Sequence, residues 1–227
     1  MKRTPVLAAA AACAAVAAAS AGATTECRGL QVCVPVVGPW VLSPAGGEVQ
    51  FQLACPKRFV VAGLDAELST RALEVEFRGA LGSPVNPGVT TSTSAVFLGR
   101  LVRGSDPAAS FRPHIGCVPA SGAGGRVPTV FHAYPPSRPT APLMMQIDVR
   151  AGTRSYVERC RAGQQLTSAS HAIAFYTTDP PTAKLASSVH VTQTVRSGRV
   201  EIAVRAGPSL GSVRAVVQVD LLCVRRG

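Results

Sequence analysis

Apolar and polar residues alternate in several short segments of the chain, which are rich in Val and Thr and are separated by Gly and Pro. The clearest alternation covers residues 48–53, 73–78, 188–195 and 199–205. Because successive side chains of a strand point to opposite faces, Val75 and Phe77 are expected on one face and Glu74 on the other. The pattern predicts an all-β fold in which antiparallel sheets, each with one dry face, form β-sandwich-like units.

Residues 1–23 have the features of a cleaved secretory signal peptide. Two basic residues precede an almost unbroken run of Ala, Val and Leu over residues 6–19, and small residues follow it. A lipoprotein signal would have Leu where Ala10 stands, three residues before Cys13, so lipidation is not expected. No second apolar stretch follows, and we expect a secreted or cell-envelope protein without a transmembrane segment in the mature chain.

The cysteines that follow the signal form two pairs with nearly equal spacing. Cys55 and Cys117 are 62 positions apart, and Cys160 and Cys223 are 63 apart. This spacing predicts one disulfide-stapled unit that occurs twice in a chain exposed to an oxidising compartment. The expected bridges are Cys27–Cys33, Cys55–Cys117 and Cys160–Cys223. Other pairings of six cysteines stay open at this point, because spacing alone does not determine connectivity.

The chain divides by composition into two predicted units after the signal. The first unit spans 24–118 and the second spans 143–227, and residues 119–142 are rich in Pro and Gly. Proline lacks a donor for strand pairing and glycine weakens strands, so this stretch is expected to be a linker. Its middle, residues 131–134, contains two aromatic residues and is the segment that an inhibitor or partner-binding protein would present.

Basic residues outnumber acidic ones, giving a formal net charge of +11. After the signal, Lys57 and Lys184 are the lysines and the other basic residues are arginines. Arginine makes forked hydrogen bonds to sulfate, phosphate and carboxylate, so an anionic polymer or a cell-envelope component is a candidate partner. The competing interpretation is that the charge only keeps the protein soluble, because the arginines are scattered along the sequence. Nucleic acid is not expected as the partner of an exported protein.

Sequence motifs of catalysis and metal binding give little support for an enzyme. Residues 207–211 match the pattern G-x-S-x-G, but the residues after Ser209 predict a strand, whereas a nucleophile elbow requires a helix. The histidines have none of the short spacings of metal ligands. We therefore expect no catalytic residue, no cofactor and no metal, and we take the paired carboxylates Asp65 with Glu67 and Glu74 with Glu76 to be solvated charges beside arginines such as Arg71.

Two segments that mix aromatic, charged and proline residues are candidate ligand-binding loops. The first is residues 110–114, with Arg112 and His114, and the second is residues 175–181, with Tyr176 and Asp179. The favoured hypothesis is a non-enzymatic binding or structural module of the extracellular space or cell envelope. The alternatives are a secreted inhibitor or partner-binding protein, and an exported hydrolase that uses Asp65, Glu67 or Glu74 as acids and bases.

Overall fold

The computed structural model describes residues 26–27, 32–79, 93–120, 140–196 and 198–225. The predicted signal peptide, residues 1–23, lies outside the described residues. So do residues 121–139, which are most of the predicted linker and include the 131–134 segment. At the two ends of that linker the chain is strand, because one strand continues to Pro119 and the next begins at Thr140.

Strands make up most of the described chain, and the prediction of an all-β fold is confirmed. The strands are β1 (Val34–Val37), β2 (Trp40–Leu42), β3 (Glu48–Ala54), β4 (Phe59–Leu68), β5 (Leu73–Gly79), β6 (Ser94–Leu101), β7 (Ser110–Pro119), β8 (Thr140–Val149), β9 (Gly152–Arg159), β10 (Gln164–Tyr176), β11 (Val189–Arg196), β12 (Arg199–Ala206) and β13 (Arg214–Arg225). A single-turn helix, α1 (Ala183–Ala186), precedes β11, and a 3-10 turn (Pro208–Leu210) precedes β13.

A seven-stranded antiparallel sheet, which we call the central sheet, contains strands from both halves of the chain. In the first half, β7 pairs with β4 on one side and with β1 and then β2 on the other. In the second half, β13 pairs with β10 and β8. The two groups join where β2 pairs with β10, with Trp40 opposite Phe175 and Val41 opposite Ala174. Backbone hydrogen bonds therefore link the halves directly.

Each half also contributes a three-stranded sheet, and the two small sheets have the same order of pairing. In the first half β6 lies between β3 and β5, and in the second half β12 lies between β9 and β11. The central-sheet pairs correspond as well, because β4 pairs with β7 as β10 pairs with β13. Every one of these ladders is antiparallel.

The two small sheets pack on opposite faces of the central sheet. Val216 of β13 lies in one hydrophobic cluster with Phe51 and Phe97 of the first small sheet. The next residue, Val217, lies in a second cluster with Ile202 of the second small sheet. Because neighbouring strand residues point to opposite faces, these two clusters lie on the two sides of the central sheet. Burial of a side chain of this size contributes roughly 2–3 kcal/mol.

The three predicted disulfides are all present. They join Cys27 to Cys33, Cys55 to Cys117 and Cys160 to Cys223. Cys117 and Cys223 are buried in β7 and β13 of the central sheet, and their partners immediately follow β3 and β9. Each long-range bridge thus fastens a small sheet to the central sheet, and closing a loop of this length contributes about 4 kcal/mol in the chain-entropy model.

A buried polar contact connects β3 of the first half to β13 of the second. The Gln218 side chain accepts a hydrogen bond from the Gln52 backbone N at 2.5 Å and donates one to the Gln52 backbone O at 3.0 Å. Asp220 is 9% exposed on the same strand. Burial raises the pKa of Asp220 to about 6, against the opposing effect of a hydrogen bond with the Gln50 side chain.

Replacement of Asp220 by Asn is expected to stabilise the protein at neutral pH. The folded state keeps the Asp220 proton up to about pH 6, whereas the unfolded chain releases it near pH 4, so stability falls as the pH rises through this window and stays lower above it. The cost at pH 7 is about 3 kcal/mol. Urea unfolding should show Asp220→Asn to be more stable than the wild type at pH 7 and nearly equal to it at pH 3.5.

The matched control is Asp148→Asn, because Asp148 is exposed and pairs with Arg214 at the surface. This variant should change stability by less than about 1 kcal/mol at either pH. An Asp220→Asn effect of the same size at pH 3.5 and pH 7 would show that the buried carboxylate is not the group responsible.

Candidate functional site

Residues 110–114, predicted to form a loop, are instead the first half of strand β7. A strand is possible here because of the position of Pro113, a residue type that is usually excluded from the middle of a sheet. The Pro113 carbonyl accepts a hydrogen bond from Gly38 N at 2.8 Å, at the break between β1 and β2. Proline has no backbone N–H, and its nitrogen points to this same break between the strands. No hydrogen bond between paired strands is therefore lost at Pro113. Gly38 is required there because a Cβ at this position would overlap the Pro113 ring.

Arg112 and His114 lie on the face of the central sheet that points away from β3, β6 and β5. Glu67 of β4 is the cross-strand partner of Arg112. The Glu67 carboxylate lies 3.4 Å from His114 Nε2 and 3.8 Å from Arg112 Nη1. On the other side of the ring, Glu26 Oε1 lies 3.6 Å from His114 Nδ1. His114 and Glu26 are buried, whereas the Arg112 and Glu67 side chains are partly exposed. These four residues, called the Arg112–His114 cluster, bring charged and titratable groups together on this face.

The same cluster brings the two predicted binding segments together. Arg112 Nη1 donates to the backbone O of Thr178 at 3.4 Å, and its guanidinium carbon lies 5.9 Å from the centroid of the Trp40 ring. Trp40 Nε1 donates to the same Thr178 oxygen at 3.4 Å. The turn that contains Asp179 is therefore anchored beside Arg112, although the Asp179 residue itself is exposed.

Tyr176 does not join this cluster. Phe175 packs on the side of the second small sheet, which is also the side of Arg112. The next residue of β10, Tyr176, therefore points to the other face of the central sheet. There the guanidinium of Arg214 lies 4.5 Å from the centroid of the Tyr176 ring, and Arg214 also pairs with Asp148 at 3.2 Å. Of the four candidate ligand-binding residues, Arg112 and His114 thus lie on one face of the central sheet, Tyr176 lies on the other, and Asp179 lies in the exposed turn after β10.

Glu26 and Cys27, called the N-terminal segment, lie against the two strands that carry Arg112, His114 and Glu67. Gly63 and Gly116 stand opposite each other in β4 and β7, and a Cβ on either would overlap the backbone of Glu26. Two facing glycines therefore make the flat surface on which Glu26 lies, with the Cys33 sulfur next to it. Since Glu26 is next to Cys27 in the chain, these contacts hold the N-terminal segment, with its bridge to Cys33, against the central sheet.

The carboxylates proposed for a hydrolase belong to two different sheets. Asp65 and Glu67 lie on β4, whereas Glu74 lies on β5 and pairs with Arg100 at 2.7 Å rather than with Arg71. Ser209 is in the 3-10 turn and is followed by β13, so the helix that a nucleophile elbow requires does not follow it. Within the described ranges, no group of three His, Cys, Asp or Glu side chains is arranged to hold a metal ion.

A second candidate site lies on the outward face of the second small sheet. The inward residues of β12, such as Val200 and Ile202, are buried, so alternate residues of that strand point outward. The strand register places the outward residues in four rows across the three strands. These rows are Arg196–Arg199–Arg159, Thr194–Glu201–Val157, Thr192–Ala203–Ser155 and His190–Arg205–Thr153, and together they are called the basic face.

The row of three arginines is the most charged feature of the basic face. Arg199 pairs with Glu201 at 2.6 Å, whereas the ion pairs among the described residues include neither Arg159 nor Arg196. Directly opposed side chains in a sheet are about 5 Å apart, and like charges at this spacing are destabilising. The arrangement is therefore unfavourable for the isolated sheet and becomes favourable when an anion lies across the row.

This row could not be predicted from the sequence, because its members come from different parts of the chain. Arg159 is 40 positions from Arg199, and only the register of β9 against β12 makes them neighbours. For Arg196 and Arg199, by contrast, the sequence contains a local signal. Arg196 and Arg199 flank a Ser-Gly dipeptide between two alternating segments, which is the pattern of a two-residue hairpin. That pattern alone predicts that Arg196 and Arg199 are neighbours across the two strands of the hairpin.

Comparisons with known protein families, with curated proteins and with solved structures found no match. None of the helices in the described parts of the chain has the length and apolar character needed to cross a membrane.

Replacement of Gly116 by Ala is expected to destabilise the protein by about 1–3 kcal/mol, because the new Cβ overlaps the Glu26 backbone and forces the N-terminal segment to move. Urea unfolding measures the loss. Gly207→Ala is the matched control, because its Cβ would meet only the Ser188 oxygen at an ordinary 3.7 Å. Without the contact to Glu26, Ala should stabilise a strand relative to Gly, so a Gly116→Ala protein as stable as the wild type would contradict this placement of Glu26.

Proposed function

We propose that this chain is a secreted, non-enzymatic binding protein of the extracellular space or cell envelope, and that it holds an anionic polymer on its basic face. The observation that carries the proposal is the row of Arg159, Arg199 and Arg196 across three neighbouring strands. Arginine is the side chain best suited to sulfate and phosphate, because its planar fork makes paired hydrogen bonds to their oxygens.

The balance of charge on the basic face supports a polyanion as ligand. Four arginines, Arg159, Arg196, Arg199 and Arg205, share this face with one carboxylate, that of Glu201. Arg159, Arg196 and Arg205 are exposed, so their guanidinium groups are accessible to a ligand. A small molecule generally needs a concave pocket, whereas an extended polymer can lie on an open sheet face. The shape and charge of the face together favour a polymer.

The proposed architecture is two copies of one β-sandwich unit after a signal peptide. The equal pairing order in the two halves supports this division, and so does the bridge within each half, Cys55–Cys117 or Cys160–Cys223. Three disulfides are also what a protein of an oxidising compartment is expected to contain. The pairing of β2 with β10 then acts as the junction between the units.

The double variant Arg159→Gln/Arg196→Gln is expected to bind an immobilised sulfated polymer such as heparin more weakly than the wild type. Loss of two ionic contacts should reduce the slope of log affinity against log salt concentration by roughly 1.5. Measurement of affinity by surface plasmon resonance at several salt concentrations gives this slope for each protein.

The matched control is Arg71→Gln/Arg103→Gln, which removes the same charge from exposed positions in the first half of the chain. It should leave the affinity and the salt slope nearly unchanged. Equal effects of the two double variants would mean that net charge alone causes binding. A wild-type protein that is not retained at low ionic strength would exclude the proposed function.

A further inference from the structure

A second basic group stands at the opposite end of the basic face. Arg205 and His190 are cross-strand partners, and both are exposed. Arg205 follows Arg199 by six positions on β12, and a strand rises about 3.3 Å per residue, so the two basic groups are about 20 Å apart. A ligand that contacts both groups must therefore extend along β12 and cannot lie only across the row of arginines.

The two rows between the basic groups contain mostly small side chains, three of them with hydroxyl groups, and one charged residue, Glu201. The row next to Arg205 consists of Thr192, Ala203 and Ser155, and the row next to Arg199 consists of Thr194, Glu201 and Val157. Small side chains allow a chain to lie close to the sheet. Threonine and serine hydroxyls both donate and accept hydrogen bonds, and these are the groups that match sugar hydroxyls.

From this arrangement we infer that the ligand is a glycan that carries sulfate or phosphate groups and lies along β12. One anionic group contacts the row of three arginines, another contacts Arg205 and His190, and the sugars between them rest on the hydroxyl-bearing rows. This inference rests on the proposed function and adds the direction, the minimum length and the chemical class of the ligand.

Charge density separates such a glycan from a densely charged polymer. Inorganic polyphosphate of the same length would place negative charges over the Thr192–Ala203–Ser155 row, which has no cation. It would also place them beside the Glu201 carboxylate, which already pairs with Arg199. A glycan with charges at intervals avoids this repulsion. The basic face should therefore select spaced charges over continuous ones.

A length series of chondroitin sulfate oligosaccharides tests the direction of the ligand. Chains shorter than about 20 Å reach one basic group only, so they should bind the wild type and Arg205→Gln equally. Longer chains should bind the wild type more tightly, and Arg205→Gln should lower their affinity about three- to fivefold. Arg103→Gln, which lies off the basic face, is the control and should behave as the wild type at every length.

The variant Thr192→Val tests the class of the ligand, because it removes a hydroxyl while keeping the shape of the side chain. It should weaken binding of the longer oligosaccharides and leave binding of polyphosphate unchanged. Isothermal titration calorimetry with both probes measures the difference. Thr177→Val, off the basic face, provides the control for loss of a threonine hydroxyl.

The outcomes distinguish this inference from the proposed function. An equal loss with Arg205→Gln for short and long chains would overturn the orientation along β12. Polyphosphate binding tighter than that of a glycan of equal length would overturn the glycan assignment. In both cases the effect of Arg159→Gln/Arg196→Gln would still support a polyanion-binding face. If neither probe binds the wild type at low salt, the proposed function fails together with the inference.

Discussion

Backbone pairing between β2 and β10 is the interaction on which the rest of the structure depends. This short ladder joins strands from the two halves into one central sheet, with Val41 beside Ala174. Because one sheet has two faces, each half can cover a different face with its own small sheet, and the cores around Phe97 and Ile202 lie on opposite sides. The Gln218–Gln52 contact adds a second link between the halves through buried, satisfied hydrogen bonds.

The two candidate sites follow from this arrangement but differ in character. The Arg112–His114 cluster lies on the part of the central sheet beside the second small sheet, and its charged groups contact Glu67, Glu26 and backbone oxygens of the protein itself. Its contacts hold the N-terminal segment and the turn at Thr178 in place. The arginine row of the basic face has fewer internal partners and is exposed to solvent, and this contrast makes it the better candidate for a ligand.

Features that depend on local sequence could be predicted, and features that depend on register could not. The alternating segments 48–53 and 73–78 fall within strands β3 and β5, and the three bridges follow the cysteine spacing, because a period of two and a paired spacing are visible in a single sequence. The prediction of a loop over residues 110–114 was wrong, since the break between β1 and β2 that accommodates Pro113 is a tertiary feature. The neighbours of Arg159 are determined by pairing across 40 residues, which no local pattern reveals.

The central claim is that the outward face of β9, β12 and β11 is a binding surface for an anionic polymer. The most direct test is a titration of the isotopically labelled protein with a sulfated oligosaccharide, followed by amide NMR. The account predicts that the shifted amides cluster at Arg159, Arg196 and Arg199 and along β12. Shifts concentrated instead around Arg112 and His114, or on the first small sheet, would contradict it.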